Sequence, residues 1–147
     1  MSRGGNISKH PLVIMSVMMC FLFTLLPAIL SNPAQAASPG LGSIFITDLK
    51  IKGSLPQGEW IKVTNKGTTN VNMRGWKIVE KGHKYTYVFP SYTLKAKSSV
   101  ILYTGKGKNT ASAFYWGRSQ EVWTDTGDTA TLYCSCGARA STMTKSK

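Results

Sequence analysis

Two glycine-bearing loops carry the densest cationic chemistry in this chain: Lys81-Gly82-His83-Lys84 and Gly105-Lys106-Gly107-Lys108-Asn109. Ammonium and imidazole groups in such loops can dock phosphate or carboxylate. If successive strands reverse direction, both loops fall at the same end of a β-sandwich. Lys81, His83, Lys84, Lys106 and Lys108 would then share one pole and form a candidate anionic-ligand surface. The structural alternative is that exposed loops collect lysines for solubility. Beyond residue 36 lysines outnumber arginines thirteen to three, which favours diffuse charge attraction over bidentate base reading. Tyr85 and Tyr103 flank the loops and read as sheet residues rather than as stacking platforms.

Catalysis has little material to work with. The acids beyond residue 36 are Asp48, Glu59, Glu80, Glu121, Asp125 and Asp128. Of these, Asp125 and Asp128 lie near one turn, and Glu59 and Glu80 sit at strand ends. His83 is the one histidine in this region, in an exposed loop, so no Ser/His/Asp arrangement suggests itself. Cys134 and Cys136 have no evident base beside them. The Gly105–Lys108 loop lacks the spacing of a phosphate loop, and no helix follows it. Zinc needs about four ligands, and two thiols with one imidazole fall short. We therefore expect no catalytic residues, no metal and no cofactor.

The amino terminus sets the compartment. Arg3 and Lys9 precede an apolar run from Leu12 to Leu30 without a charged residue, and Ala34 and Ala36 fit the A-x-A pattern of a signal peptidase site. Residues 1–36 read as a hydrophobic signal helix cleaved after Ala36, giving a secreted or cell-surface protein. The alternative is an uncleaved N-terminal membrane anchor, since the run approaches the roughly 18–20 residues that span a bilayer. Residues 37–147 make one domain's worth of chain, with sixteen basic against six acidic residues, a net charge of +10. Such a surface attracts nucleic acid, cell-wall polymer or anionic lipid. In an oxidising compartment Cys134 and Cys136 are a possible disulfide, either with each other or between two chains.

The elements that must position these groups are strands. Residues 37–43 form a linker. Strands are expected at Ile44–Ile51 with a bulge near Asp48, Glu59–Asn65, Trp76–Glu80, Tyr85–Phe89, Val100–Tyr103 and Thr129–Cys134, with short apolar pieces at Phe114–Trp116 and Val122–Trp123. About seven short strands with glycine-rich turns imply an all-β sandwich. The expected core comprises Ile61, Val63, Trp76 behind Gly75, Ile78, Phe89, Leu102, Trp123 and Leu132, with Ile101 also turned toward Trp76. Gly105 and Gly107 are expected at positive φ. Residues 138–147 read as a disordered polar tail, which closes the domain at 44–137.

Several landmarks in order, EWIKVTN at 59–65, Gly75-Trp76, Tyr87-Phe89-Pro90, VILYTGKG at 100–107, Val122-Trp123 and TGDTATLY at 126–133, resemble the lamin tail domain. The resemblance covers about Ile44 to Gly137. It implies an immunoglobulin-like β-sandwich, non-catalytic, that serves interactions with proteins and DNA in animals and occurs on exported proteins in prokaryotes. The functional expectation is an exported binding module that docks an anionic polymer or envelope component through its basic loops. Two alternatives stand beside it: a protein–protein or envelope-structural module indifferent to polyanions, and an accessory domain to a hydrolase or nuclease.

Overall fold

The computed structural model describes residues 39–147 apart from residue 56; the expected signal segment 1–36 lies outside the described residues. Ten strands follow in chain order: β1 (Ile44–Lys50), β2 (Trp60–Asn65), β3 (Val71–Asn72), β4 (Lys77–Glu80), β5 (Thr86–Val88), β6 (Thr93–Leu94), β7 (Ser99–Tyr103), β8 (Ala113–Tyr115), β9 (Gly127–Tyr133) and β10 (Arg139–Ser146). Two four-stranded sheets, ordered β1-β2-β7-β8 and β10-β9-β4-β5, enclose the core, and β3 pairs with β6 alone. Every pairing is antiparallel except β7 with β8. Among the described residues no helix is long and apolar enough to cross a membrane.

Alternation decides which side chains meet. In β2, Ile61, Val63 and Asn65 are buried while Trp60, Lys62 and Thr64 look outward, as a period of two requires. In β9, Asp128, Ala130 and Leu132 face in. The register of β1 shifts between Ile46 and Asp48, a bulge that returns Leu49 to the inner face. Ile44, Ile46, Ile61, Val63, Val100 and Leu102 on one sheet then close against Ile78, Ala130 and Leu132 on the other, with Trp76 and Phe89 in the same cluster. Gly75 turns the chain into β4 at φ 78°, and its N–H donates to Phe89 O.

Aromatic rings seal the side where β5 and β8 lie at the sheet edges. Tyr92 meets Phe114 at 4.9 Å, Phe114 meets Phe89 at 5.8 Å, Phe89 meets Tyr87 at 5.1 Å, Tyr87 meets Trp116 at 5.6 Å and Trp116 meets Trp123 at 6.0 Å, all edge to face. Each such pair contributes about 0.5–1.5 kcal/mol beyond its buried area. Burial pushes the Tyr87 phenol up to about 12, so it stays neutral in this stack.

Two expectations are corrected, the tail and the facing of Ile101. Residues 138–147 are not a disordered tail: Arg139–Ser146 pair with β9 from Tyr133 back to Gly127, and Ala140 and Met143 pack against the core. A strand beside an existing edge needs backbone groups and β-branched residues more than apolar ones, and Thr142 and Thr144 suit it. Ile101 faces outward, because Val100 and Leu102 take the inner positions of β7. Val122 and Trp123 are buried but lie in no strand.

The opposite facings of Leu102 and Ile101 make a direct test. Leu102→Ala should cost about 2–5 kcal/mol of unfolding free energy in urea, as a buried leucine does. Ile101→Ala should cost less than half of that, and equal losses would reverse the register assigned to β7.

Candidate anionic-ligand site

Strand directions locate the basic loops. Lys50 pairs with Trp60, Trp60 with Tyr103 and Tyr103 with Tyr115, so β1, β7 and β8 end where β2 begins. In the other sheet β4 and β10 end where β5 and β9 begin. The two sets of ends coincide, because a cleft of about 520 Å³ is lined by Lys50 and Trp60 from the first sheet and Lys145 and Ser146 from the second. The 81–84 loop and the start of the 105–109 loop therefore emerge at one pole. Lys106 stands at that pole. Lys108 begins a run back along β8, since β7 and β8 are parallel and the connection crosses over.

Local chemistry shapes each loop. In the β4–β5 turn His83 adopts φ 59°, its N–H donates to Glu80 O at 2.9 Å, and the Glu80 carboxylate accepts the Gly82 N–H. Lys81, His83 and Lys84 are exposed around this turn. Lys84 Nζ lies 5.1 Å from the Tyr85 ring centroid, and the Arg118 guanidinium lies 4.6 Å from the same centroid. Arg118 is the residue the sequence reading missed. Its N–H donates to Thr104 O and the Gly117 N–H to Gly105 O, both at 3.0 Å, which fastens the 116–126 segment to the start of the 105–109 loop. Arg118 thus bridges the two basic loops, and an isolated arginine in a polar stretch gives no spacing signal for that role. Gly105 and Gly107 are not among the positive-φ glycines. Gly107 is required for space instead, since a Cβ there would lie 2.3 Å from the Tyr115 ring.

A buried carboxylate holds the third loop of this pole. Glu59 has no exposed surface, and its two oxygens accept the N–H groups of Val122 at 3.0 Å and Trp123 at 3.2 Å. Its own carbonyl accepts the Thr104 N–H at 3.1 Å. Burial raises the Glu59 carboxyl above its ordinary value of 4.5, against the lowering pull of the two N–H donors and the Thr104 hydroxyl; the Glu121 charge adds to the rise. Thr104 Oγ1 is itself buried and makes no well-aligned hydrogen bond. Asp128 works similarly, accepting Thr124 N–H at 3.0 Å and Thr129 N–H at 2.6 Å.

Among the described residues no three His, Cys, Asp or Glu side chains are grouped to hold a metal ion. Cys134 and Cys136 are joined in a disulfide within the β9–β10 turn, their Cα atoms 5.2 Å apart. The large cleft mixes signs, with Asp48 and Asp125 beside Lys50, Lys52 and Lys145 around Trp60.

The chain belongs to the lamin tail domain family, whose model, described as Lamin Tail Domain, matches residues 37–147. The match includes β10, beyond the Gly137 limit of the sequence resemblance. No curated protein is significantly similar to the chain.

Proton linkage at Glu59 is measurable. The folded-state value lies above the unfolded one, so the folded form binds this proton more tightly. The stability this group contributes is complete below the unfolded value and is lost as pH rises through the folded one. Glu59→Gln removes the titration and leaves a constant offset. The melting temperature of the native protein relative to Glu59→Gln should fall as pH rises from about 4 to about 7; a relative rise would mean that the carboxyl is lowered in the fold.

Proposed function

We propose that this protein is an exported, non-catalytic lamin-tail module that docks an anionic polymer through the basic loops of one pole. One observation carries the reading. All sixteen Lys and Arg side chains of residues 39–147 are exposed or half-exposed, while two of the six carboxylates, Glu59 and Asp128, are buried on backbone N–H groups. Folding therefore removes negative charge from the surface and keeps every cation on it. The field of such a surface concentrates polyanions and weakens with salt.

Lys81, His83, Lys84, Lys106 and Lys108, with Arg118 between the loops, are the groups assigned to contact the polymer. Export rests on the charge-poor apolar run followed by Ala34 and Ala36.

A polyanion-retention experiment tests this. The native protein should elute from a polyphosphate matrix at higher salt than a variant carrying Lys81→Ala, Lys84→Ala, Lys106→Ala and Lys108→Ala, with an affinity loss on the order of tenfold or more at low salt. Identical elution of the two proteins would remove these loops from the binding surface, and no retention of either would remove the function.

A further inference from the structure

The end opposite the candidate site differs in its charge. It is formed by the starts of β1, β4, β7 and β10, the ends of β2, β5 and β9, and the β3–β6 pair. Lys66, Arg74, Lys77, Lys95, Lys97 and Arg139 lie at this end, all exposed. None of the six carboxylates does. Asp48 and Glu80 sit toward the other ends of their strands, Glu59 precedes β2, and Glu121, Asp125 and Asp128 belong to the 116–128 stretch. The first pole must attract anions past its own acids; this end carries no such opposition.

Hydrogen bonds tie together the two loops that carry Lys66, Lys95 and Lys97. Asn65, fully buried, donates from Nδ2 to Thr69 O at 2.8 Å and to Leu94 O at 3.2 Å. Asn70 Oδ1 accepts the Ala96 N–H at 3.0 Å, and Lys97, at φ 56°, donates from Nζ to Lys66 O at 2.6 Å. The 66–70 and 95–98 loops are thereby one unit presenting Lys66, Lys95 and Lys97.

Two further features distinguish the partner. The exposed large hydrophobic side chains of the described residues, Leu41 at 38 % and Val88 at 50 %, are both at this end. Leu41 lies in the turn that enters β1, and Val88 is the last residue of β5. Two aromatic rings at this end are already engaged, since the Lys66 ammonium lies over Phe45 at 5.2 Å from its centroid and Tyr92 is edge to face with Phe114, while Tyr133 at the end of β9 is half-exposed. Cations interspersed with exposed aliphatic side chains match the headgroup and upper acyl region of an anionic bilayer. The described chain also enters the fold here, through Gly40–Ser43, with the Lys66 N–H donating to Ser43 O at 2.8 Å.

We infer that the acid-free end, through Lys66, Lys95 and Lys97 with Leu41 and Val88, docks on an anionic lipid surface, leaving the 81–84 and 105–109 loops turned away from it. Amine footprinting of the full chain on vesicles tests this without a variant. On phosphatidylglycerol-containing vesicles, acylation of Lys66, Lys95 and Lys97 should be on the order of fivefold slower than on purely zwitterionic vesicles, and high salt should abolish the difference. Lys81, Lys84, Lys106 and Lys108 should label equally on both. Equal labelling of Lys66, Lys95 and Lys97 on the two vesicle types, or slowing confined to the other loops, would overturn the inference. So would equal protection of the same three amines by single-stranded DNA at matched phosphate, since the end would then read phosphates in general and not a bilayer. Loss of polymer retention by the 81–84 and 105–109 loops would leave this result untouched, so the two claims fail separately.

Discussion

One buried carboxylate organises the pole that carries the 81–84 and 105–109 loops. Glu59 sits just before β2 with no solvent contact, and its oxygens receive the N–H groups of Val122 and Trp123. Those two residues belong to no strand, so no ladder satisfies their backbone. A buried N–H left unpaired costs about 1–3 kcal/mol, and the carboxylate removes that cost twice. The position of Trp123 in the core then fixes Trp116 against it, and Trp116 in turn meets Tyr87 of β5. Arg118 is carried between them onto Tyr85. The alignment of the two basic loops thus depends on a buried carboxylate.

The far end of β2 uses the same device with neutral chemistry. Asn65 is as buried as Glu59 and joins the 66–70 loop to the β6–β7 turn through its amide. Its Oδ1 also accepts the Gly67 N–H at 2.9 Å. An amide brings no charge, so this end keeps an uncompensated set of cations. The carboxylates used to organise loops are gathered at the other end, where Asp128 and Glu80 also fold onto backbone N–H groups. A single strand, clamped by an acid at its start and an amide at its end, divides the domain into a mixed-charge pole and a purely cationic one.

How much of this could be read in the residues depends on the kind of signal each carries. Strict alternation made β2 legible, and the slipped alternation around Asp48 announced the bulge in β1. The continuous run Val100-Ile101-Leu102 has no alternation, so pattern alone could not say that Ile101 is the outward residue. β10 was invisible because threonine, serine and lysine at a sheet edge look like a solvated tail until a partner strand is placed beside them. β3 and β6 are two residues each, too short for any period. Glu59 reads as an ordinary strand-end acid, since its partners lie more than sixty residues away. The landmarks that resembled the lamin tail domain are mostly core and turn residues, which is why the family was legible while the charge division between the two ends was not.

Amide hydrogen exchange at Val122 and Trp123 probes this organisation most directly. If the Glu59 carboxylate holds the segment, these two amides exchange far more slowly than those of neighbouring Ser119 and Gln120 in the native protein. In Glu59→Ala they should rise to the rate of those neighbours while the amides of β9 remain protected. Native Val122 and Trp123 amides exchanging as fast as Ser119, or protection unchanged in Glu59→Ala, would contradict the assignment of Glu59 as the residue that orders this pole.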